Sequence, residues 1–254
     1  MQAMNRDLSL HGKVAVITGA SGGLGSAICH TLAAQGCTVV AGYNSSAQAA
    51  IKLVEELGGH PHIAVHLPVT DGQALSEAAA EIDTKLGRVD ILVNCAGTTR
   101  FVAHADMDGL DDQLIDDILA TNVRGPFASI RAFKHLLSAK GDGLVVNISS
   151  IAARTAIGSN VIYCASKAAV DNMTMSLARA LGPSIRVLSV SPGLIDTEFV
   201  KSLDQEWRDE QVALTVMGRL ASPVEVADAV LAAASHLRFS TGIVIPVDGG
   251  RTLR

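Results

Sequence analysis

Short runs rich in Val and Ile alternate with longer Ala-rich segments along nearly the whole of this 254-residue chain. Strands that alternate with helices in this way are typical of βαβ units, in which helices cover both faces of one parallel sheet. The pattern predicts strands at residues 14–18, 38–43, 63–67, 91–93, 144–148, 185–190 and 243–247. It predicts helices at residues 24–35, 47–57, 73–86, 111–138, 164–181 and 223–237, the fourth of them interrupted near Gly125-Pro126.

No Pro- or Ser-rich linker, repeat or low-complexity segment divides the sequence. We therefore predict an α/β fold with one Rossmann-type domain over residues 1–254: a doubly wound parallel sheet of about seven strands with helices on both faces. Residues 197–219 are polar and poorly periodic, and we expect them to form a lid. Within the lid, Trp207 and Met217 either line an apolar pocket or serve packing, and the charges of residues 204–210 are expected to form a solvated helix face.

Composition excludes several classes of protein. A hydrophobic fraction of 48% argues against a disordered chain. The formal net charge of −5 gives no general attraction to nucleic acid or anionic lipid, and 3% aromatic residues make base-stacking surfaces unexpected. Residues 1–13 are polar and mixed in charge, without the apolar segment of a signal peptide, and no run approaches the eighteen apolar residues of a membrane span. We therefore expect a cytoplasmic location. The four cysteines form no C-x-x-C pair, which favours buried thiols over a metal site or disulfides.

Glycines cluster between the first predicted strand and the first predicted helix. Residues 18–25 read Thr-Gly-Ala-Ser-Gly-Gly-Leu-Gly, with glycines spaced G-x-x-x-G-x-G. Glycines allow a tight turn and a close approach of the backbone to a phosphate, while free N–H groups at a helix start receive the anion. This setting favours nucleotide binding over an ordinary turn, through residues Gly19, Ser21, Gly22, Gly23, Leu24 and Gly25.

Tyr163 and Lys167 lie four residues apart at the start of a predicted helix, so their side chains share one face. A phenol, with a pKa of about 10, is a weak acid–base group at neutral pH unless a cation stabilises the phenolate. Taken alone, the pair is also compatible with an ordinary helix surface. Ser149 and Ser150 end the fifth predicted strand, at the edge where doubly wound sheets bind ligands. A hydroxyl there either hydrogen-bonds a substrate oxygen or caps the following segment.

Four motifs in order resemble the short-chain dehydrogenase/reductase family across essentially the whole chain. They are the glycine turn, the sequence Asn94-Cys95-Ala96-Gly97, the set Ser150, Tyr163 and Lys167, and the loop from Pro192 to Thr197. In the second motif, a cysteine stands where the family has another asparagine. Asn122, in the sequence Thr-Asn-Val-Arg-Gly, matches the helix asparagine that completes the family's catalytic tetrad.

The resemblance implies an oxidoreductase that transfers a hydride between a nicotinamide cofactor and a carbonyl or secondary alcohol. Ser150 would position the substrate oxygen, and Tyr163 would exchange its proton. Lys167 would lower the pKa of Tyr163 and hold the nicotinamide ribose, and Asn122 would anchor a water that links Lys167 to solvent. No metal is expected. The cofactor would contact Asn94, Ala96, Gly97, Tyr163, Lys167, Pro192, Gly193, Ile195 and Thr197.

The end of the second predicted strand bears on which nicotinamide cofactor is used. An acid there would bind the ribose 2′-hydroxyl and repel a 2′-phosphate, but the chain reads Tyr43-Asn44-Ser45-Ser46. We therefore expect NADP(H) rather than NAD(H), with Tyr43, Asn44 and Ser45 in contact with it. No arginine supports the phosphate from the glycine turn. Pro68 replaces the family's adenine-binding Asp, so the backbone of Val69 is the expected contact.

Within the family, the Asn44 turn, the Ser149-Ser150 pair and the closing residues 241–250 look most like 3-oxoacyl-[acyl-carrier-protein] reductases of fatty acid biosynthesis. Basic residues that would dock an acidic acyl carrier protein are sparse at 140–142 and 182–184. A sugar, polyol or small-ketone dehydrogenase therefore stays open, and a nucleotide-binding regulator without turnover is the alternative of another class. The resemblance also implies a homotetramer joined through the helices at 111–138 and 164–181 and the C-terminal strand.

Overall fold

The computed structural model describes residues 8–59, 61–202 and 204–254, except for the side chain of Phe199. Seven parallel strands form one sheet in the order β3-β2-β1-β4-β5-β6-β7. They are Val14–Thr18 (β1), Thr38–Tyr43 (β2), Ile63–His66 (β3), Ile91–Asn94 (β4), Gly143–Ile148 (β5), Ile185–Pro192 (β6) and Val244–Val247 (β7). The strand order reverses between β1 and β4, so their carboxyl ends border the crevice in which doubly wound sheets bind ligands.

Helices cover both faces of this sheet. The α-helices are Gly23–Ala34 (α1), Ala47–Leu57 (α2), Gly72–Leu86 (α3), Asp112–Leu119 (α4), Gly125–Ser138 (α5), Ala152–Thr155 (α6), Val161–Leu181 (α7), Glu198–Lys201 (α8), Gln205–Ala213 (α9) and Pro223–Ser235 (α10). A π-helical turn, Ala120–Arg124, joins α4 to α5, and a 3₁₀ turn, Arg251–Leu253, follows β7. Helices α1 and α10 pack on one face and α3, α5 and α7 on the other, which confirms the predicted doubly wound α/β fold.

Alternate residues of each strand enter the two halves of the core. In β1, Ala15 and Ile17 face α1 and α10, whereas Val14 and Val16 face α3 and α5. Burial on both faces explains why these strands read as continuous apolar runs instead of alternating ones. Phe133 of α5 is fully buried against this second face and fastens α5 to the sheet.

Two helix boundaries near the crevice differ from the sequence prediction. The interruption of the long helical stretch lies in the π-helical turn, and α5 itself begins with Gly125 and Pro126. Proline is tolerated there because the first turn of a helix requires no N–H from it. Helix α7 begins at Val161, three residues earlier than predicted, because Asn160 caps it. As a result, Tyr163 lies in the first turn of α7.

Residues 197–219 are more regular than their polar sequence indicates, since they include α8 and α9. The short helix α6 was likewise not predicted, and β6 continues two residues further than expected, to Pro192. In the part of the chain that the structure describes, no helix is both long and apolar enough to cross a membrane. Among those same residues, no three His, Cys, Asp or Glu side chains are grouped as metal ligands.

Candidate active site

The side chain of Thr18 joins the carboxyl ends of β1 and β4. Its buried hydroxyl oxygen accepts hydrogen bonds from the backbone N–H groups of Cys95 and Ala96, each at 3.0 Å. The next residue, Gly19, has a φ of +65°, and a Cβ there would lie 2.9 Å from the Cα of Ala96. Only glycine fits this position, because a side chain would be both strained and in steric conflict. The glycine turn is therefore pressed directly against the Asn94–Gly97 motif.

The first turn of α1 is open to an anion. Gly22 precedes the helix in an extended conformation, no side chain caps the helix, and no acidic residue lies in its first turn. The orphan N–H groups and the positive end of the helix dipole then point at whatever binds there. A Cβ on Gly23 would lie 3.8 Å from the Thr197 methyl carbon, so the turn faces the Pro192–Thr197 loop. This backbone-lined cradle fits the pyrophosphate of a dinucleotide.

The residues expected at the adenosine end lie at the carboxyl ends of β2 and β3. Tyr43 is half-buried, and its ring lies 5.6 Å from that of His66, measured between ring centroids. Asn44 and Ser45 are exposed beyond the end of β2, and no carboxylate stands among residues 43–46. Val69 is buried beside Gly125, where a Cβ would lie 2.9 Å from a Val69 methyl carbon.

Asn94 is part of a buried polar chain under the sheet. Its amide donates to the Asn147 side chain at 2.8 Å, Asn147 donates to the Thr174 hydroxyl at 2.8 Å, and Thr174 bonds the Ser189 hydroxyl at 2.8 Å. The side-chain oxygen of Asn94 has no hydrogen-bond partner among the described residues. The Asn94 side chain therefore connects β4 to β5, and through Asn147 the hydrogen bonds continue to α7 and β6. This chain holds together the elements that border the crevice.

Tyr163 lies beside Ser150 at the carboxyl end of β5. Burial raises the pKa of the Tyr163 phenol above its ordinary value of 10.0, and a hydrogen bond from Ser150 partly opposes this rise. The Ser150 hydroxyl oxygen also accepts from the N–H of Ala152 at 3.1 Å, at the start of α6. Ser150 thus accepts from the segment that follows β5 and also contacts the phenol, while its hydrogen bond to a substrate oxygen stays a prediction.

Lys167 is buried, with 7% of its surface exposed. Its ammonium donates to the carbonyl of Ile148 at 2.9 Å and lies 5.6 Å from the centroid of the Tyr163 ring. Burial lowers the pKa of Lys167 from 10.5 to about 8, and the Cys95 thiol and the Asp171 carboxyl partly oppose this fall. Burial also raises the pKa of Cys95 to about 11.

The lowering of the Tyr163 pKa that is expected from Lys167 stays a prediction. The net change in the Tyr163 pKa is upward, because the loss of water around the phenolate outweighs the stabilising contacts. The Lys167 ammonium points at the Ile148 carbonyl in this arrangement. The phenol is consequently held in its neutral, proton-donating form at pH 7.

Asn122 occupies the π-helical turn and is buried. Its side-chain oxygen accepts from the Thr98 N–H at 2.8 Å, and its amide donates to the Thr98 carbonyl at 3.0 Å and to the Ser166 hydroxyl at 3.2 Å. A Cβ on Gly97 would lie 3.4 Å from the Asn122 side-chain oxygen and 3.8 Å from the Lys167 ammonium. Asn122 and Lys167 therefore both border Gly97, and the Asn122 side chain is bonded to Thr98 and Ser166. The water that Asn122 is expected to anchor stays a prediction.

The Pro192–Thr197 loop closes the other side of the crevice. The Gly193 N–H donates to the Val247 carbonyl at 3.0 Å, and a Cβ on Gly193 would lie 3.2 Å from the Cα of Asp248. Ile195 pairs with Ala221 in an isolated bridge. The Thr197 hydroxyl accepts from the Val200 N–H at 3.3 Å, at the start of α8.

The predicted lid stands beyond this loop. Arg208 of α9 pairs with Asp196 at 3.5 Å, and Arg251 donates to the Gln211 side chain at 2.7 Å, so the C-terminal turn also holds α9. Trp207 and Met217 are both exposed, to 38% and 65%. Neither residue belongs to the hydrophobic core, which leaves both available to a bound molecule.

The structure thus brings Asn122, Ser150, Tyr163 and Lys167 together with the glycine turn at one sheet edge. Sequence reasoning missed Asn160 and Ser166, which hold the backbone of Tyr163: Asn160 accepts from its N–H, and Ser166 donates to its carbonyl, each at 2.7 Å. A signal existed for Asn160, since asparagine directly before a helix is a favoured cap.

Comparison with known proteins identifies the family. The family model described as Enoyl-(Acyl carrier protein) reductase matches residues 19–252. The 3-oxoacyl-[acyl-carrier-protein] reductase FabG of Thermotoga maritima is 34% identical over 249 residues, which cover 96% of this chain and 99% of that protein. D-threitol dehydrogenase of Mycolicibacterium smegmatis is 36% identical over 253 residues, covering 98% and 96%.

Solved structures agree with these relatives. A gluconate 5-dehydrogenase from Burkholderia cenocepacia, in complex with NADP and tartrate, aligns with a TM-score of 0.89 and 27% identity. The alignment covers 97% of this chain and 98% of that one. The chain therefore belongs to the short-chain dehydrogenase/reductase family of oxidoreductases.

Proposed function

We propose that this single-domain protein reduces the ketone of a 3-oxoacyl thioester to a secondary alcohol, with NADPH as its cofactor. The observation that carries the proposal is the convergence of Ser150, Tyr163 and Lys167 beside the glycine turn. A hydrogen-bonding hydroxyl, a neutral phenol and a buried ammonium are the groups that a carbonyl reduction needs around the substrate oxygen.

The roles of these residues follow from their chemistry. A bound nicotinamide supplies the hydride that reaches the carbonyl carbon. Ser150 donates a hydrogen bond to the carbonyl oxygen, and Tyr163, neutral at pH 7, donates its proton to that oxygen as negative charge develops. The nearby Lys167 ammonium then stabilises the phenolate that Tyr163 becomes. Hydride on carbon and proton on oxygen together give the alcohol, and oxidation runs through the same groups in reverse.

The choice of NADPH rests on the end of β2. Tyr43, Asn44 and Ser45 offer neutral hydrogen-bonding groups there, and none of residues 43–46 is an acid that would repel a 2′-phosphate. The similar gluconate 5-dehydrogenase structure contains NADP. The dinucleotide would lie along Gly19–Gly25, Val69 and Ala96–Gly97, and its nicotinamide end would contact Pro192–Thr197.

The choice of an acyl substrate rests on exposed apolar side chains in two segments, one of which leads into the first turn of α7. Phe101, Met107 and Ile157 are exposed to 78%, 70% and 69%, on two segments that the Val102–Ser159 backbone hydrogen bond joins. Exposed apolar side chains beside a catalytic crevice suit an acyl chain better than a polar sugar. A relative named for 3-oxoacyl-[acyl-carrier-protein] reduction supports the same choice. The thioester would be carried by an acyl carrier protein or by coenzyme A.

A second candidate is polyol oxidation. The hydroxyls of Thr99 and Ser159 lie 2.6 Å apart in the same region, and such a pair can bind the hydroxyls of a sugar alcohol. D-threitol dehydrogenase is among the relatives.

One assay set tests the proposal. Absorbance at 340 nm is followed with NADPH or NADH and three acceptors: acetoacetyl thioester on coenzyme A, the same group on acyl carrier protein, and crotonyl-coenzyme A. D-threitol with NADP⁺ or NAD⁺ tests the reverse direction. We expect the highest kcat/KM with NADPH and acetoacetyl thioester. Turnover of D-threitol alone would establish the second candidate, and tight NADPH binding with no turnover of any compound would indicate a regulator.

We also propose a homotetramer joined through α5 and α7. Phe127 in the first turn of α5 and Met175 in the interior of α7 expose 44% and 43% of their surface, and contact with other copies of the chain would bury both. Light scattering after size exclusion should give four times the chain mass; a single-chain mass would refute this assembly.

A further inference from the structure

Asn160, three residues before Tyr163, uses every polar atom of its amide. The residue is fully buried and its backbone is extended. Its side-chain oxygen accepts from the Tyr163 N–H at 2.7 Å and so caps α7. Its side-chain nitrogen donates to the Arg100 carbonyl at 2.7 Å and to the Thr99 hydroxyl at 3.2 Å. One buried side chain therefore ties the first turn of α7 to residues 98–104.

Asn122 makes a matching connection from the other side. Its amide holds both the N–H and the carbonyl of Thr98, and it donates to the Ser166 hydroxyl. That hydroxyl donates to the Tyr163 carbonyl at 2.7 Å. The N–H and the carbonyl of Tyr163 are consequently both connected, through two buried amides, to the segment Thr98–Arg100.

The segment 98–104 needs such support because it belongs to no helix or strand. Its other connections also run to the residues before Tyr163. The Val102 N–H donates to the Ser159 carbonyl at 2.8 Å, and the His104 ring lies 3.2 Å from the Gly158 carbonyl oxygen. This irregular segment follows Gly97 and carries Phe101, one of the exposed apolar side chains that we propose as contacts of the acyl chain. Its position relative to Tyr163 therefore depends on a few hydrogen bonds, and Asn160 makes the central ones.

We propose that Asn160 is a positioning residue that fixes the Tyr163 phenol relative to the substrate-facing segment 98–104. The inference rests on the proposed carbonyl reduction for its kinetic consequences, but the positioning itself is a property of the folded chain. A helix cap alone would require only the side-chain oxygen, and serine, threonine or aspartate supply one. The two amide hydrogens, which serine lacks, are what hold Thr99 and Arg100.

Asn160→Ser and Asn160→Ala separate the two contributions. Serine keeps an acceptor for the Tyr163 N–H and loses both donors to residues 99–100, whereas alanine loses all three bonds. We expect kcat to fall at least about tenfold in both variants, because small displacements of a proton donor are costly. The KM for NADPH should stay within about twofold, since the glycine turn is untouched. Only Asn160→Ala should also lose the helix cap, which lowers its melting temperature further.

The control is Asp71→Ala. Asp71 caps α3 by accepting from the N–H groups of Gln73 and Ala74 at 2.9 and 3.1 Å. Removing this cap should lower the melting temperature as Asn160→Ala does, with kcat unchanged. A larger solvent isotope effect on kcat in Asn160→Ser than in the wild type would locate its defect in proton transfer.

A second readout needs neither substrate nor cofactor. The chain has two tyrosines, so in a Tyr43→Phe background the phenolate absorbance at 295 nm reports Tyr163 alone. Because burial raises the pKa of Tyr163, loosening the first turn of α7 should move its titration midpoint downward in Asn160→Ser, and Asp71→Ala should leave it unchanged. Circular dichroism confirms that each variant is folded over the titration. An unchanged midpoint in Asn160→Ser would overturn the positioning role, even if the wild type reduced none of the test ketones. If kcat of Asn160→Ser equals that of the wild type, the proposed effect of Asn160 on catalysis is overturned.

Discussion

Lys167→Met removes a buried ammonium from the site and keeps a side chain of similar length. Burial lowers the pKa of Lys167 from 10.5 to about 8. Each pKa unit corresponds to about 1.4 kcal/mol, so the charged lysine costs the folded state about 3 kcal/mol at pH 7. The variant loses the hydrogen bond to the Ile148 carbonyl, which offsets about 1 kcal/mol of this gain. We therefore expect the Lys167→Met protein to be more stable than the wild type by about 2 kcal/mol.

The pH dependence of that difference has a definite sign. The unfolded lysine titrates near 10.5 and the folded one near 8, so between these values the unfolded chain binds more protons. The stability of the wild type consequently rises with pH relative to that of the variant. From about pH 6.5 to about pH 9.5, the difference between their free energies of unfolding narrows by about 2 kcal/mol. Groups that titrate alike in both proteins cancel in this comparison.

The measurement is urea unfolding of both proteins, followed by circular dichroism at several pH values. Both proteins are used at one concentration, because any assembly adds a concentration-dependent stability. A variant that is less stable than the wild type at pH 6.5 would refute the reasoning. So would a difference that stays constant with pH, since the cost would then not come from the buried charge.

Three further substitutions test other parts of the account. Gly19→Ala places a Cβ 2.9 Å from the Cα of Ala96 at a φ of +65°. The affinity for NADPH, measured by fluorescence, should therefore fall at least about tenfold. An unchanged affinity would contradict pyrophosphate binding at the glycine turn. Asn44→Asp puts an acid at the end of β2 and should lower the ratio of kcat/KM for NADPH to kcat/KM for NADH by about tenfold or more. An unchanged ratio would show that the 2′-phosphate does not bind at this turn. Phe133→Ala should destabilise the protein by about 3–5 kcal/mol in urea unfolding, and a loss below about 1 kcal/mol would show that α5 is anchored elsewhere.

Local sequence patterns were sufficient to predict the strands and the glycine turn. Buried parallel strands read as apolar runs such as Val14–Thr18, and the turn is recognisable because Gly19 and Gly25 are required by short-range geometry. Ser150, Tyr163 and Lys167 could be grouped because the carboxyl ends of parallel strands share one edge.

Other features depend on long-range packing and could not be predicted in this way. The rise in the Tyr163 pKa results from the loss of water in the assembled crevice, which no sequence spacing encodes. The π-helical turn around Asn122 lengthens one turn of an otherwise regular helical pattern, so periodicity alone placed the interruption at Gly125-Pro126 instead. Asn160 acts through partners some sixty residues earlier in the chain, at Thr99 and Arg100.

The central claim is that Tyr163 is the proton donor of a carbonyl reduction in this site. The most direct measurement compares wild type and Tyr163→Phe at 340 nm with NADPH and acetoacetyl thioester, alongside NADPH binding by fluorescence. The account predicts wild-type turnover, a fall in kcat of about 10³-fold in Tyr163→Phe, and an NADPH Kd unchanged within about threefold. Substantial turnover by Tyr163→Phe would contradict it.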